Sequence, residues 1–421
     1  MIVSRREGLP YLSMALAFKG GNAIEPAKKA GLAGLAYELL LEGTGKMDAL
    51  AVANAFSELG TEAHVSVADD GATLSAEVLS RNADAALKLM SRVVRSPSLK
   101  AEAFKRRRDK ASADLVQAYG SPYFLAAAGY REAMFGAAHP YGAAPATQAG
   151  IQGITLKDVK GYLARHVGPK TTALVISGDI TLADAKAMAQ RHFGGWKRAA
   201  KVKAPGAGPA AQAAEATVFI PKAGMNQTMI ALARPGLTAQ DPERPALELA
   251  NSIYGGMFGS RLNMNLREDK GYTYGARSSM VLRQAAGGLV AMSPVRADAT
   301  GASLTEFFGE IEGLKARPIT EAEFSAAKEA ALRSIPGRYE TVEGLTRAGV
   351  SLFQMGLPLD YSQRYIDQMS AVTLEQVQAA ALKWFDPALF HVVMVGDPET
   401  VKAQLEDHPK SRPLTVRELS P

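Results

Sequence analysis

Two stretches of the chain repeat one another, and that repetition limits the architecture more than any single motif does. Ile154-Thr-Leu-Lys-Asp-Val159 runs through Gly168-Pro169 to Ala173-Leu-Val-Ile-Ser-Gly-Asp179, and Val372-Thr-Leu-Glu-Gln-Val377 runs through Asp386-Pro387 to His391-Val-Val-Met-Val-Gly-Asp397. At a constant offset they align without a gap, setting Thr155 over Thr373, Pro169 over Pro387 and Gly178-Asp179 over Gly396-Asp397. Each copy reads as a helix, a proline turn, a buried apolar strand and a Gly-Asp turn into another helix. A match of this length points to an ancestral duplication. Between the copies, Lys201 to Ala214 is rich in Ala, Pro and Gly and almost without large apolar side chains, which reads as a linker. The expected organisation is an N-terminal domain over 1–200, a linker over 201–215 and a C-terminal domain over 216–421. Strands and helices fall in clusters, which favours α+β layers on an antiparallel or mixed sheet over a doubly wound parallel sheet. Two such domains on one strap suggest a clam with a cleft between them.

Within the first half, Leu12 to Phe18 reads as a strand, and Lys29 to Leu41 carries apolar residues at 32, 35, 36, 39 and 40, the stripe of a helix packed on a core. Asp48 to Leu59 reads as a second helix. Ala63 to Val67 and Ala72 to Val78 form a hairpin around Asp69-Asp70-Gly71. Helices follow at 83–94, 101–118 and 123–134, ending in the loop His139-Pro-Tyr-Gly142.

Composition narrows the function classes. Of the 421 residues, 47% are hydrophobic and 21% charged, which suits a globular protein, and no apolar run is long enough to span a membrane. Net charge is +6, and the one dense basic run, Lys105-Arg-Arg-Arg108, has no interleaved aromatics, so it reads as a solvated helix face and not as a nucleic-acid site. There is no cysteine, which removes disulfides, thiolate metal sites and cysteine nucleophiles. Gly20-Gly21 and Gly255-Gly256 lack the context of a phosphate loop or a dinucleotide fingerprint. The six histidines, at 64, 139, 166, 192, 391 and 408, include no pair at i, i+3 or i+4. A metal site built from His64 with Asp69 or Asp70 is the remaining combination.

One stretch carries candidate chemistry. Met257 to Glu268 reads as a helix ended by Gly271, and Tyr272 to Leu282 as a strand, so Arg267 and Tyr274 can reach the same side of a cleft. A guanidinium fork beside a phenol can hold a peptide carbonyl or carboxylate. The alternative is a surface arginine followed by a tyrosine on a buried strand.

Taken together, the duplicated halves, the linker, His139-Pro-Tyr-Gly142, Gly-Gly-x-Phe-Gly-Ser-Arg-Leu at 255–262 and Leu-Arg-Glu-x-x-Gly-x-x-Tyr at 266–274 resemble the pitrilysin-like M16 zinc metallopeptidases. The resemblance is to their short-chain M16B type, which includes bacterial heterodimeric peptidases and mitochondrial processing peptidase. It covers the chain from about residue 10 to residue 400 and implies two homologous α/β-sandwich domains of the LuxS/MPP-like metallohydrolase type. Active members carry His-x-x-Glu-His on an N-terminal helix, where two histidines one turn apart bind zinc and the Glu is the general base. Here the matching helix, anchored by Gly43-Thr44, holds Gly34, Tyr37 and Glu38 at those three positions. The helix that supplies the third ligand holds Ala113 and Asp114 where the family has paired glutamates.

The resemblance therefore implies no cofactor in this chain. It implies instead a zinc-less subunit whose Arg267 and Tyr274, kept at the family's seven-residue spacing, serve a zinc site in a His-x-x-Glu-His-containing partner of a heterodimer. Arg267 would orient the peptide and Tyr274 would donate to the oxyanion. Ala63, His64, Val65 and Ser66 resemble the edge strand on which family substrates lie as an added strand, the alternative being an ordinary core hairpin. The expected substrates are peptides or unfolded segments, and neither a nucleic-acid partner nor a membrane span is expected. The alternative function is a non-catalytic scaffold or peptide-holding protein of the same fold. The abrupt start and the absence of cysteine make the bacterial periplasm the expected compartment, with the cytoplasm as the alternative.

Overall fold

The computed structural model describes residues 1–421 except 199, 210, 211, 213, 215 and 407. Four of the residues in the expected linker, 210, 211, 213 and 215, thus lie outside the described residues. The chain forms two compact units, and neither is a continuous half of the sequence. One comprises 1–116, 146–205 and 335–361, the other 117–145, 206–334 and 362–421.

The first unit is built on a five-stranded mixed sheet in the order Ile2–Arg5, Thr172–Gly178, Tyr11–Lys19, Gly71–Leu79, Ala63–Val67. Only the pair Ile2–Arg5 and Thr172–Gly178 is parallel. Tyr11–Lys19 is central, and its two faces differ in side-chain size. Leu12, Met14, Leu16 and Phe18 enter the main core with residues of the helices Leu32–Glu38, Ala83–Arg95 and Leu156–His166. Its other face offers Ala15 and Ala17, which with Ala173 and Val175 pack against Val350 of the helix Val342–Met355. Small residues let that helix lie close to the sheet. A Cβ on Gly349 would fall 2.7 Å from Val175 Cγ1.

The second unit repeats the plan with six strands, in the order Arg277–Val281, Gly288–Arg296, Gln227–Pro235, His391–Gly396, Thr217–Pro221, Leu414–Val416. Here the helix from the other half of the chain is Pro122–Phe135, whose Gly129 would place a Cβ 2.7 Å from Val393 Cγ1. Leu247, Leu304, Phe307 and Val377 are buried in this unit by the helices Arg244–Asn251, Thr300–Ala316 and Leu374–Trp384.

The duplicated segments occupy equivalent places. Thr155 and Thr373 each cap a helix, Leu156–His166 and Leu374–Trp384, with a full capping box completed by Asp158 and Gln376. The strands that follow, Thr172–Gly178 and His391–Gly396, each lie antiparallel to the long nine-residue strand of their unit and parallel to the next. Among the described residues no helix is long and apolar enough to cross a membrane.

The basic run is in part the solvated face expected of it, with Lys105 and Arg106 exposed and Arg107 and Arg108 half-buried. On the helix Ala101–Gly120, Arg106 and Arg107 bind the buried Glu42 carboxylate at 2.8 and 2.6 Å, and Arg108 donates to the Gln152 carbonyl at 3.2 Å. A buried carboxylate needs such partners, so two of the three arginines serve this unit's own fold.

Two predictions follow from the helix starts. Thr155→Ala and Thr373→Ala should each cost about 1 kcal/mol in urea unfolding, because each leaves an end N–H without its acceptor. The helix Leu32–Glu38 is held differently: Glu25 accepts from the Gly31 and Ala33 amides, the former at 3.0 Å. Burial, against those amide bonds and with the Asp69 charge, raises the Glu25 pKa from 4.5 to about 7. Since the folded form holds its proton more tightly than the unfolded chain, the associated stability is full below the unfolded value and is lost as pH rises toward 7. Between about pH 5 and pH 8 the wild type should lose roughly 2 kcal/mol more than Glu25→Gln in paired denaturation curves.

Candidate functional site

The helix Leu32–Glu38 begins after Gly31, whose φ of 93° suits glycine. Its three resemblance positions point to different ends. Gly34 offers no donor, and a Cβ there would meet open space. Tyr37 is 1% exposed, packed on Phe18 and Tyr162 with ring centroids 5.1 and 6.0 Å away, and its hydroxyl donates to the Gly20 carbonyl at 3.1 Å. Burial pushes its phenol far above the ordinary range, so it stays a neutral donor inside the core. Glu38 is half exposed, with Arg107 at 3.7 Å. On the second helix Ala113 is exposed and Asp114 pairs with Lys110 at the surface. Among the described residues no three or more His, Cys, Asp or Glu side chains lie where they could share a metal ion, which includes His64 with Asp69 and Asp70. These residues do not fit zinc.

The hairpin is an edge. Among the described residues Ala63–Val67 pairs only with Gly71–Leu79, and its residues alternate between half-buried Ala63, Val65 and Val67 and exposed His64 and Ser66. The helix Leu32–Glu38 packs beside this strand. On the sheet face where Ala15 meets the helix Val342–Met355, a groove of about 910 Å³ opens. Ser13, Thr73, Ser75 and Glu77 form its floor, His64 and Ser66 its outer side, and Glu343, Thr346 and Arg347 its wall. The Tyr11 hydroxyl donates to Glu77 at 2.9 Å, and burial, the Glu77 bond and the Glu77 and Glu343 charges raise its pKa to about 12. Nothing in the sequence near the hairpin announces that wall, because it arrives from a distant part of the chain.

The Arg/Tyr stretch departs from the expected helix and strand. Residues Ser252–Gly256 and Met264–Asp269 are π-helical turns separated by a short α-helical turn at Arg261–Asn263, and the strand starts only at Arg277. Residues 272–276 form an irregular loop, in which Tyr272 keeps backbone bonds to Leu266 and Arg296 and side chains hold the chain from Thr273 onward. Thr273 donates to the Pro294 carbonyl at 2.6 Å and accepts from the Gly275 amide, Ser293 donates to the Gly275 carbonyl, and Asn263 accepts from the Ala276 amide at 3.0 Å. The Asn265 amide donates to Glu306 and Glu310, both at 2.8 Å, tying the second π turn to the helix Thr300–Ala316. Wide turns of this kind often occur at functional sites.

That loop presents Tyr274 with 91% of its surface exposed and both chain neighbours hydrogen-bonded in place. Arg267 lies over the ring of Phe258, 4.7 Å from guanidinium carbon to centroid, and its Nε is 3.3 Å from the Glu268 carboxylate. Phe258 is itself 64% exposed. The structure therefore puts both residues on one connection and leaves both reachable from solvent, while Arg267 takes Phe258 as its neighbour. Asn263 and Thr273 were not singled out in the sequence, and Phe258 stood there only as part of the Gly-Gly-x-Phe-Gly-Ser-Arg-Leu motif, with no role assigned to it.

Comparison with known proteins agrees with these features. Residues 2–138 match the family model for insulinase, peptidase family M16, and residues 153–331 match that for the peptidase M16 inactive domain. A non-peptidase homolog, YmxG, of Helicobacter pylori is 23% identical over 378 residues, covering 88% of this chain and 85% of that one. The crystal structure of a peptidase M16 inactive domain from Pseudomonas fluorescens superposes with a TM-score of 0.84 at 26% identity, covering 94% of each chain. A protease from Helicobacter pylori, at 19% identity and a TM-score of 0.85 over 92% of this chain and 94% of that one, shares the fold. The chain belongs to the M16 peptidase family.

Proposed function

We propose that this chain is the zinc-less subunit of a two-subunit M16-type peptidase, lending Arg267 and Tyr274 to peptide-bond hydrolysis at a metal site held by a His-x-x-Glu-His partner. In that arrangement the partner's zinc would activate water and polarise the scissile carbonyl. This chain's part is positional and electrostatic. The Tyr274 hydroxyl donates a hydrogen bond to the oxygen that gains charge as the tetrahedral intermediate forms, and Arg267 aligns the peptide through its fork of N–H donors. The stack on Phe258 limits where the guanidinium can point. Ala63, His64, Val65 and Ser66 receive the peptide as an added strand through main-chain bonds.

The observation that carries the reading is Tyr274 itself. A tyrosine that is 91% exposed contributes almost nothing to its own unit's core, yet the backbone on each side of it is pinned by four polar side-chain contacts. Fixing a loop so firmly around a side chain with no packing role is what a donor awaiting a ligand requires.

A scaffold or peptide-holding role is the second reading, favoured by the empty zinc positions and by the non-peptidase name of the Helicobacter relative. The two differ in what Tyr274 does. In a complex reconstituted with the His-x-x-Glu-His partner, Tyr274→Phe should lower kcat roughly 10² to 10³-fold with little change in KM, and Arg267→Ala should mainly raise KM. Unchanged turnover by Tyr274→Phe leaves the scaffold reading in its place.

A further inference from the structure

We propose that Asn263 is a positioning residue of the Arg/Tyr site, holding the Tyr274 loop in place against the segment that carries Arg267. This rests on the reading of Arg267 and Tyr274 as functional residues and adds what fixes one relative to the other.

Asn263 stands where the two pieces meet. It closes the short helical turn Arg261–Asn263, and the π turn Met264–Asp269 that carries Arg267 starts directly after it. Asn263 is 4% exposed, and Leu262 and Leu266 on either side of it in the turn are fully buried. An amide taken out of water is costly unless both of its ends are bonded, and here both are. Its Nδ2 donates to the Phe258 carbonyl at 2.7 Å, and its Oδ1 accepts from the Ala276 amide at 3.0 Å. Only the nitrogen can donate and only the oxygen can accept, so the two bonds fix which way the amide points. One side chain thus joins the turn whose Phe258 ring packs against the Arg267 guanidinium to the backbone just past Tyr274.

The other bonds on the loop run elsewhere. Thr273 donates to the Pro294 carbonyl and Ser293 donates to the Gly275 carbonyl, which ties the loop to the strand Gly288–Arg296. The Tyr272 amide donates to the Leu266 carbonyl at 2.9 Å, a backbone bond to the Arg267 segment on the N-terminal side of Tyr274. Among the described residues Asn263 is the only side chain of 261–269 that hydrogen-bonds to the loop, and it does so on the C-terminal side. The strand start beyond it is seated as well, because the buried Asn251 donates to the Ser278 carbonyl at 3.3 Å and a Cβ on Gly255 would fall 2.7 Å from Ser278 Cβ. The Phe258 end is the anchor. There the Ser260 amide donates to the Met257 carbonyl at 3.2 Å and the Met264 amide to the Ser260 carbonyl at 2.9 Å, neither through Asn263. Losing the Asn263 amide therefore frees the Tyr274 side and leaves the Arg267 segment in place. A phenol that must meet a developing charge depends on such fixing, since a displacement of about 1 Å can cost roughly 10²-fold in rate.

The chain has no cysteine, so a nitroxide attached through Tyr274→Cys reports on this loop alone, without a partner or cleavage. Its spectrum should be that of a restricted label, and adding Asn263→Leu, an apolar side chain of the same branched shape, should sharpen it to that of a mobile one while a cooperative melt confirms the fold. Asn263→Ala is the second variant and should act in the same direction. In the complex reconstituted with the His-x-x-Glu-His partner, Asn263→Leu should lower kcat about tenfold with KM unchanged. Added to Tyr274→Phe it should have no further effect, because it acts through that phenol. An unchanged label in both Asn263 variants, a wild-type kcat in Asn263→Leu where Tyr274→Phe is slow, or a loss that persists in full beside Tyr274→Phe would overturn the proposal. The catalytic reading fails differently, through unchanged turnover by Tyr274→Phe itself, and the label then still decides what Asn263 holds.

Discussion

The structure depends on the close seating of one helix on the second face of each sheet, where small side chains meet a glycine. In the first unit Gly349 sits on Val175 over the Ala15, Ala17 and Ala173 strip; in the second, Gly129 sits on Val393. Each helix comes from the other half of the sequence. A side chain larger than hydrogen at either glycine would collide with the valine methyl, and close-packed interiors yield little to such intrusion. The same contact makes the groove, because a helix covering only part of the sheet face leaves the hairpin side open and supplies its own Glu343, Thr346 and Arg347 as a wall.

Much of the fold was legible from local pattern. The duplicated segments announced equivalent helices and strands, and Thr155 and Thr373 cap them as the sequence match implies. The Asp69-Asp70-Gly71 turn located the hairpin within a residue or so at each end. The exchanged helices were not legible, since nothing in the periodicity of 123–134 or 342–355 says which sheet a helix will cover. Long-range partner choice is decided by surface fit, and here the deciding features are single glycines. The strand start expected at Tyr272 failed for a related reason: Thr273, Ser293 and Asn263 capture the backbone that a β ladder would otherwise use, and their partners lie elsewhere in the chain.

The two regions that the proposal draws on differ in character. On the helix that the resemblance matches to the family's zinc helix, the side chains are structural, with Tyr37 in the core and Glu38 beside an arginine that chiefly serves Glu42. At the Arg/Tyr stretch the opposite holds, and hydrogen bonds from Thr273, Ser293 and Asn263 hold the loop while the Arg267 and Tyr274 side chains remain reachable from solvent. Drift toward a plain scaffold would be expected to relax both regions alike, since an exposed tyrosine on a fixed loop gives a core nothing. The contrast is physical and does not rest on the family name.

The most direct measurement of the central claim is zinc content together with cleavage of a quenched fluorescent peptide, for the purified chain alone and mixed with its His-x-x-Glu-His homologue. The account predicts a metal-free, inert chain and a mixture that cleaves faster than the homologue alone. Stoichiometric zinc and cleavage by this chain alone would contradict the assignment of Gly34, Tyr37 and Glu38 as vacant ligand positions. A mixture no faster than the homologue alone would contradict the shared active site.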